Sequence, residues 1–222
     1  MTPAGQHHGR GDGWGHSPDD PMTVIGFLDQ HGHWGLQHLR LAREFDDLVR
    51  DGVGERLRVG AALYLTANAH ANLVLVYLRK MLDDAPRALG VPHLLRLMER
   101  RLPALVAQMA KRAPEFQRMP QELREQIAAD RKLLKVIRKR ARPALTVVNK
   151  MIVHLDGDHV RKPVARVPTA LVERCFRDVQ KIVNAWDRAW RCGHVLWDSP
   201  DHRDDFSAIG AALRRHADDG LV

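Results

Sequence analysis

From position 169 to 191, Val172, Cys175, Phe176, Val179, Ile182, Val183, Trp186 and Trp190 recur at three- and four-residue intervals. Only an α-helix gathers positions so spaced onto one face, and a stripe of that width has to be covered by other helices. Thr169, following Pro168, reads as its N-cap. Such a helix commits the chain to a multi-helix core, and 222 residues suffice for one domain of that kind.

The rest of the chain repeats the pattern between breakers. Val24, Phe27, Leu28, Leu36, Leu39, Leu41, Phe45 and Leu48 keep roughly helical spacing, while Gly32 and Gly35 predict two helices or one broken one. After Gly52 and Gly54 a strong helix is expected from Glu55 to Leu82, stopped by Asp83, Asp84 and Pro86. Another runs from Pro92 to Met109, bent or divided by Pro103. The pattern resumes near Gln121 and is interrupted at Pro143. There it gives way to ALTVVNKMIVHLD, apolar enough to predict a central helix buried on most sides. Aromatic residues are only 5% and β-branched runs are short, which argues against a sandwich or barrel.

The fold class expected is therefore all-α, an up-and-down helical bundle with an irregular leader and tail. Residues 1–21 hold five glycines, three prolines and three histidines (His7, His8, His16) without periodicity, and read as a disordered leader. Residues 22–197 read as a single helical domain. Residues 198–222 read as a polar tail with one short helix through Phe206, Ile209, Ala212 and Leu213.

Net charge is +8, and the segment Arg131–Arg142 (RKLLKVIRKRAR) supplies seven basic residues without an acid, which leaves about +1 for everything else. Arg131, Lys135, Arg138 and Arg142 fall at steps of four, three and four and share a helical face. With Lys139 and Arg140 they form the candidate nucleic-acid-binding surface, expected to contact phosphates in a salt-sensitive way. Two cysteines, Cys175 and Cys192, make no disulfide framework, and no signal peptide or membrane-spanning run is evident. A reducing, cytoplasmic setting without membrane partners is the expectation.

The most unusual local sequence is VNKMIVHLD, in which Asn149, Lys150, His154 and Asp156 punctuate an apolar run. Lys150 and His154 lie four apart on one helical face. An ammonium there favours the neutral imidazole, the form that accepts a proton, and can hold a phosphate beside it. His154, Asp156, Asp158 and His159 match no established ligand spacing, so neither a metal nor a cofactor is expected. Trp186 and Trp190 read as core or interface residues. Tyr64, Asn68 and His70 read as polar contacts supporting the NKMIVHLD helix.

The string NKMIVHLD, placed after a basic amphipathic helix and before another long helix, resembles the signature region of HEPN domains of the abortive-infection AbiU-type branch. Tyr64–Pro86 is similar to the second helix of those proteins and Val172–Trp190 to their closing helix. The resemblance implies a metal-independent endoribonuclease, often a toxin or antiphage effector, that acts as a homodimer and can be paired with an antitoxin protein. It also implies His154 as general base, taking the proton from an RNA 2′-hydroxyl, with Lys150 supplying positive charge, Asn149 contacting phosphate or the partner chain and Asp156 orienting the imidazole. In one respect the chain departs from the family pattern, which places an arginine four to six intervening residues before the histidine. The corresponding positions here are Val147, Val148 and Asn149, and the nearest upstream arginine is Arg142. Two functions stay open on this reading: an RNA-cleaving effector, or a non-catalytic relative that dimerises and binds nucleic acid or a protein.

Overall fold

The computed structural model describes residues 17–112, 118–153, 167–191, 197 and 203–219; everything below concerns these. They form helices α1 (Pro21–Arg50), α2 (Val53–Arg56), α3 (Gly60–Leu82), α4 (Val91–Arg100), α5 (Leu102–Arg112), α6 (Pro120–Val147), α7 (Thr169–Arg191) and α8 (Arg203–Asp218), with no strand among the described residues. His154 and Asp156, like most of the expected leader, lie outside them.

Asp20 starts α1: its carboxylate accepts from the Thr23 amide and hydroxyl, both at 3.1 Å, and Pro21 follows at the first helical position. Gly32 and Gly35 do not break this helix, contrary to the expectation of two pieces. They let other side chains reach its backbone instead. A Cβ on Gly35 would stand 2.2 Å from the Phe176 ring, and one on Gly32 would stand 2.2 Å from the Trp197 indole. The helix ends where Gly52 takes a left-handed conformation (φ 68).

The single helix expected over Glu55–Leu82 is divided. Arg58 adopts φ 57, and the chain folds so tightly that a Cβ on Gly54 would lie 2.7 Å from the Gly60 Cα. From there α3 runs antiparallel to α1, with His70 against His38 and Tyr77 against His31. Pro103 sits in the first turn of α5, so α4 and α5 are separated at Arg101 as the sequence suggests.

Pro143 does not interrupt α6. The missing amide removes one hydrogen bond, yet the helix continues to Val147 and then widens into a π-helical stretch, Val148–Val153. The NKMIV segment thus follows α6 directly, within the π-helical stretch, rather than forming a separate central helix. Where α6 passes into it, Ala144 and Val148 are buried, whereas Thr146, Asn149 and Lys150 are exposed.

Across from α6 lies α7, in which Thr169 is the first helical residue rather than the cap before it, and the Pro168 carbonyl accepts from the amides of Leu171 and Val172. Its stripe from Val172 to Trp186 is fully covered by α6 and α1. Between the two helices Trp186 donates its indole N–H to Asp130 at 2.8 Å, and Gln126 donates to the other carboxylate oxygen at 2.8 Å. Burial pushes the Asp130 carboxyl above its usual range despite these two donors. Finally α8 closes a small second core with Ala217 beside Leu48, Val53 and Leu63.

Candidate functional site

The basic run on α6 divides into two sets with different work to do. Arg131 makes a forked pair with Glu99 on α4 at 2.7 and 3.1 Å. Arg138 pairs with Asp84 at 3.0 Å and donates to the Leu82 carbonyl at 2.9 Å, tying α6 to the end of α3. Arg96 and Arg138 together hold the Asp84 carboxyl below its ordinary value. On the opposite edge Arg140 pairs with Asp178 of α7, which Lys181 also reaches at 2.9 Å. Burial alone would raise the Asp178 carboxyl, but these two cations hold it low. Three of the six arginines and lysines singled out in the sequence are therefore braces between helices.

The second set faces outward. Lys135, Lys139 and Arg142 are exposed and make no ion pair among the described residues, and Lys132 joins them. They occupy successive turns of one side of α6, and the next turns carry Thr146 and then Asn149 with Lys150 in the π-helical stretch. At 1.5 Å per residue the ridge from Lys132 to Lys150 is roughly 27 Å long. It leads toward the segment that contains His154.

Where α6 ends and α7 begins, a cleft of about 500 Å³ opens against α1 and α3. Val147 and Val167, which bracket the segment carrying His154 and Asp156, both line it. From α3 come Tyr64, Asn68 and Asn72, four residues apart and hence along one line of the helix. Asn68 donates to the Tyr64 carbonyl at 2.9 Å. Tyr64 is 55% exposed. From α1 come Arg43, which pairs with Glu173 of α7 at 2.6 Å, and Asp46, which pairs with Arg50 at 2.8 Å.

Of the α3 residues marked in the sequence, Tyr64 and Asn68 belong to this cleft and His70 does not. The Nδ1 of His70 lies 2.8 Å from that of His38, within a row of stacked rings that includes Phe45 and Tyr77. Burial lowers the pKa of both imidazoles, and His70 lowers that of His38 further. Sequence reasoning missed Asn72 and the α1 wall. The spacing of Asn68 and Asn72 was the available signal. No group of three or more potential metal ligands occurs among the described residues. Cys175 is fully buried, and its thiol is pushed up to about 11, chiefly by burial, so it is not a reactive nucleophile.

The outer side of α3 is unusual for a surface. No charged residue occurs between Gly60 and Leu78, and an 18-residue window has mean hydropathy 1.3 with 28% of it buried. By length and composition alone the helix could cross a membrane. Leu65 is 66% exposed and Leu73 40%, with Ala61, Ala62 and Ala69 exposed around them.

A family model, HEPN_AbiU2 (AbiU2), matches residues 30–211, most of the chain. No curated protein and no solved structure matches it.

Proposed function

Because the chain belongs to the AbiU2 family of HEPN proteins, we propose that it is an abortive-infection-type effector of the cytoplasm that binds single-stranded RNA along the outer side of α6 and cuts it at the end of that helix. The observation that carries this reading is the continuity of Lys132, Lys135, Lys139 and Arg142 with Asn149 and Lys150. Cations one turn apart can follow a phosphate backbone, and a π-helical stretch at a helix end is a frequent mark of a functional site.

In the proposed reaction His154 removes the proton from a ribose 2′-hydroxyl, and the 2′-oxygen attacks the adjacent phosphorus. The bond from phosphorus to the 5′-oxygen of the next nucleotide breaks, that oxygen takes up a proton, and a 2′,3′-cyclic phosphate remains. Lys150 offsets the charge that develops on the phosphoryl oxygens. Asn149, exposed beside it, contacts the phosphate, and Asp156 orients the imidazole. Lys150 stands one residue beyond the positions where the family motif has its forked guanidinium and brings only a point charge, so the phosphate is held with less directional precision.

The proposal includes a homodimer. The uncharged outer side of α3 is apolar over a length that monomeric surfaces seldom expose, and a second copy presents a self-complementary face to it. Leu65→Glu is expected to give monomers by light scattering; an unchanged mass would remove α3 from the interface.

A second reading has one observation behind it. The absence of an arginine at positions 147 to 149 fits a relative that binds RNA without cutting it. Cleavage of end-labelled RNAs in EDTA separates the two. Activity that survives EDTA, disappears in His154→Ala and falls by about 10²–10³ in Lys150→Ala supports the nuclease, the latter being typical for loss of one charge-stabilising contact. Binding without cleavage supports the second reading.

A further inference from the structure

We propose that the cleft between α1, α3 and the ends of α6 and α7 holds one nucleobase of the RNA, stacked on Tyr64 and read along its polar edge by Asn68 and Asn72. The inference rests on the RNA reading above and adds to it a site that selects bases rather than phosphates.

The chemistry of the cleft is that of a base pocket. Its volume, about 500 Å³, falls within the range of small-molecule sites. The floor is apolar and built largely from small or branched side chains, among them Ala67, Ala71 and Val74. Over it stands Tyr64, more than half exposed as a residue, whose ring meets no other ring among the described residues. Aromatic faces of this kind hold unstacked bases, because every base has a π-face to offer. The amides add donors and acceptors. The Asn68 carboxamide keeps its oxygen and one N–H after its bond to the Tyr64 carbonyl, and Asn72 is exposed one turn further on.

A phosphate is the wrong occupant. Among the described residues of the wall the cationic group is Arg43, engaged by Glu173, and the other charge, Asp46, is itself an anion. Positive charge open to a phosphate lies instead on the outer side of α6, which ends beside Val147 at the cleft. One nucleotide can therefore place its phosphate near Lys150 and its base in the cleft, so that base choice is made next to the scissile position.

The test is equilibrium binding of fluorescent A8, C8 and U8 RNA octamers to the full chain, with inorganic polyphosphate as a ligand that has charge but no base. Tyr64→Ala and Asn72→Leu are expected to weaken binding of at least one octamer by about tenfold, the usual scale for loss of one base contact, while Tyr64→Phe keeps it. Asn72→Leu should also alter the ranking of the three octamers. Polyphosphate should bind all variants as it binds wild type. RNA binding unchanged in Tyr64→Ala and Asn72→Leu overturns the pocket and leaves the α6 ridge standing. Equal losses for RNA and polyphosphate also overturn it, since the cleft would then be holding phosphate. Wild type that binds no octamer removes the RNA reading itself and the pocket with it.

Discussion

Two glycines of α1 make opposite predictions for the same substitution. A Cβ on Gly26 meets nothing within 4 Å, whereas one on Gly35 would sit 2.2 and 2.4 Å from two ring carbons of Phe176, which is fully buried. Replacing helical glycine by alanine gains about 1 kcal/mol from backbone propensity at either site. At Gly35 this is opposed by overpacking, because the Phe176 ring has to shift by more than an ångström against the close-packed core of α6 and α7; that costs about 1–3 kcal/mol. The propensity gain is common to both variants, so their difference isolates the steric cost. Thermal unfolding should place Gly26→Ala about 2–4 °C above wild type and Gly35→Ala about 2–12 °C below Gly26→Ala for a domain of this size. Equal stabilisation by both substitutions would refute the packing of Phe176 on the backbone of α1.

Other perturbations address the braces and the buried carboxylate. Trp186→Phe leaves one oxygen of Asp130 without its indole donor inside the core and should cost about 1.5–3 kcal/mol by denaturant unfolding; a loss under about 0.5 kcal/mol would contradict the bond. Because burial raises the Asp130 carboxyl above its ordinary 3.8, folding takes up a proton just above that pH, and stability falls as pH rises through the interval. Asp84, Asp178 and Glu173, all held low, have the opposite slope, but they cancel when wild type is compared with Asp130→Asn. That difference should move in favour of the variant as pH rises from the ordinary carboxylate range through the raised pKa of Asp130, and a flat difference would contradict the shift. Arg131→Gln and Arg138→Gln break partly exposed pairs and should each cost under about 1 kcal/mol; a larger loss would mean the braces carry more of the fold than their exposure allows.

The parts of the fold legible in the sequence are those where one helix carries its own instructions. The stripe on α7 needed only its spacing, and its bounds came out as Thr169–Arg191. Gly32 and Gly35 misled because their role depends on Phe176 and Trp197, more than 140 residues away. The break at Arg58 escaped for a related reason: a non-glycine residue in a left-handed conformation has no local signature. Pro143 signals an interruption locally, yet α6 continues through it and into the π-helical stretch. At the site, NKMIVHLD was sufficient to suggest the family. It could not show which cations of the basic run are spent on Glu99, Asp84 and Asp178, because pairing across helices is a property of register rather than of composition. The same limit hid the cleft, of which the sequence offered only the line of Tyr64, Asn68 and Asn72.

The most direct single measurement is the salt dependence of single-stranded RNA binding by wild type, by a variant with Lys132, Lys135, Lys139 and Arg142 changed to glutamine, and by Arg131→Gln/Arg138→Gln. Each phosphate contact contributes about −0.7 to the slope of log K against log salt for a single strand, so the fourfold variant should lose a slope of up to about 3. The double variant, which removes cations already held by Glu99 and Asp84, should keep the wild-type slope. A fourfold variant with wild-type slope and affinity would contradict the central claim that the outer side of α6 carries the RNA.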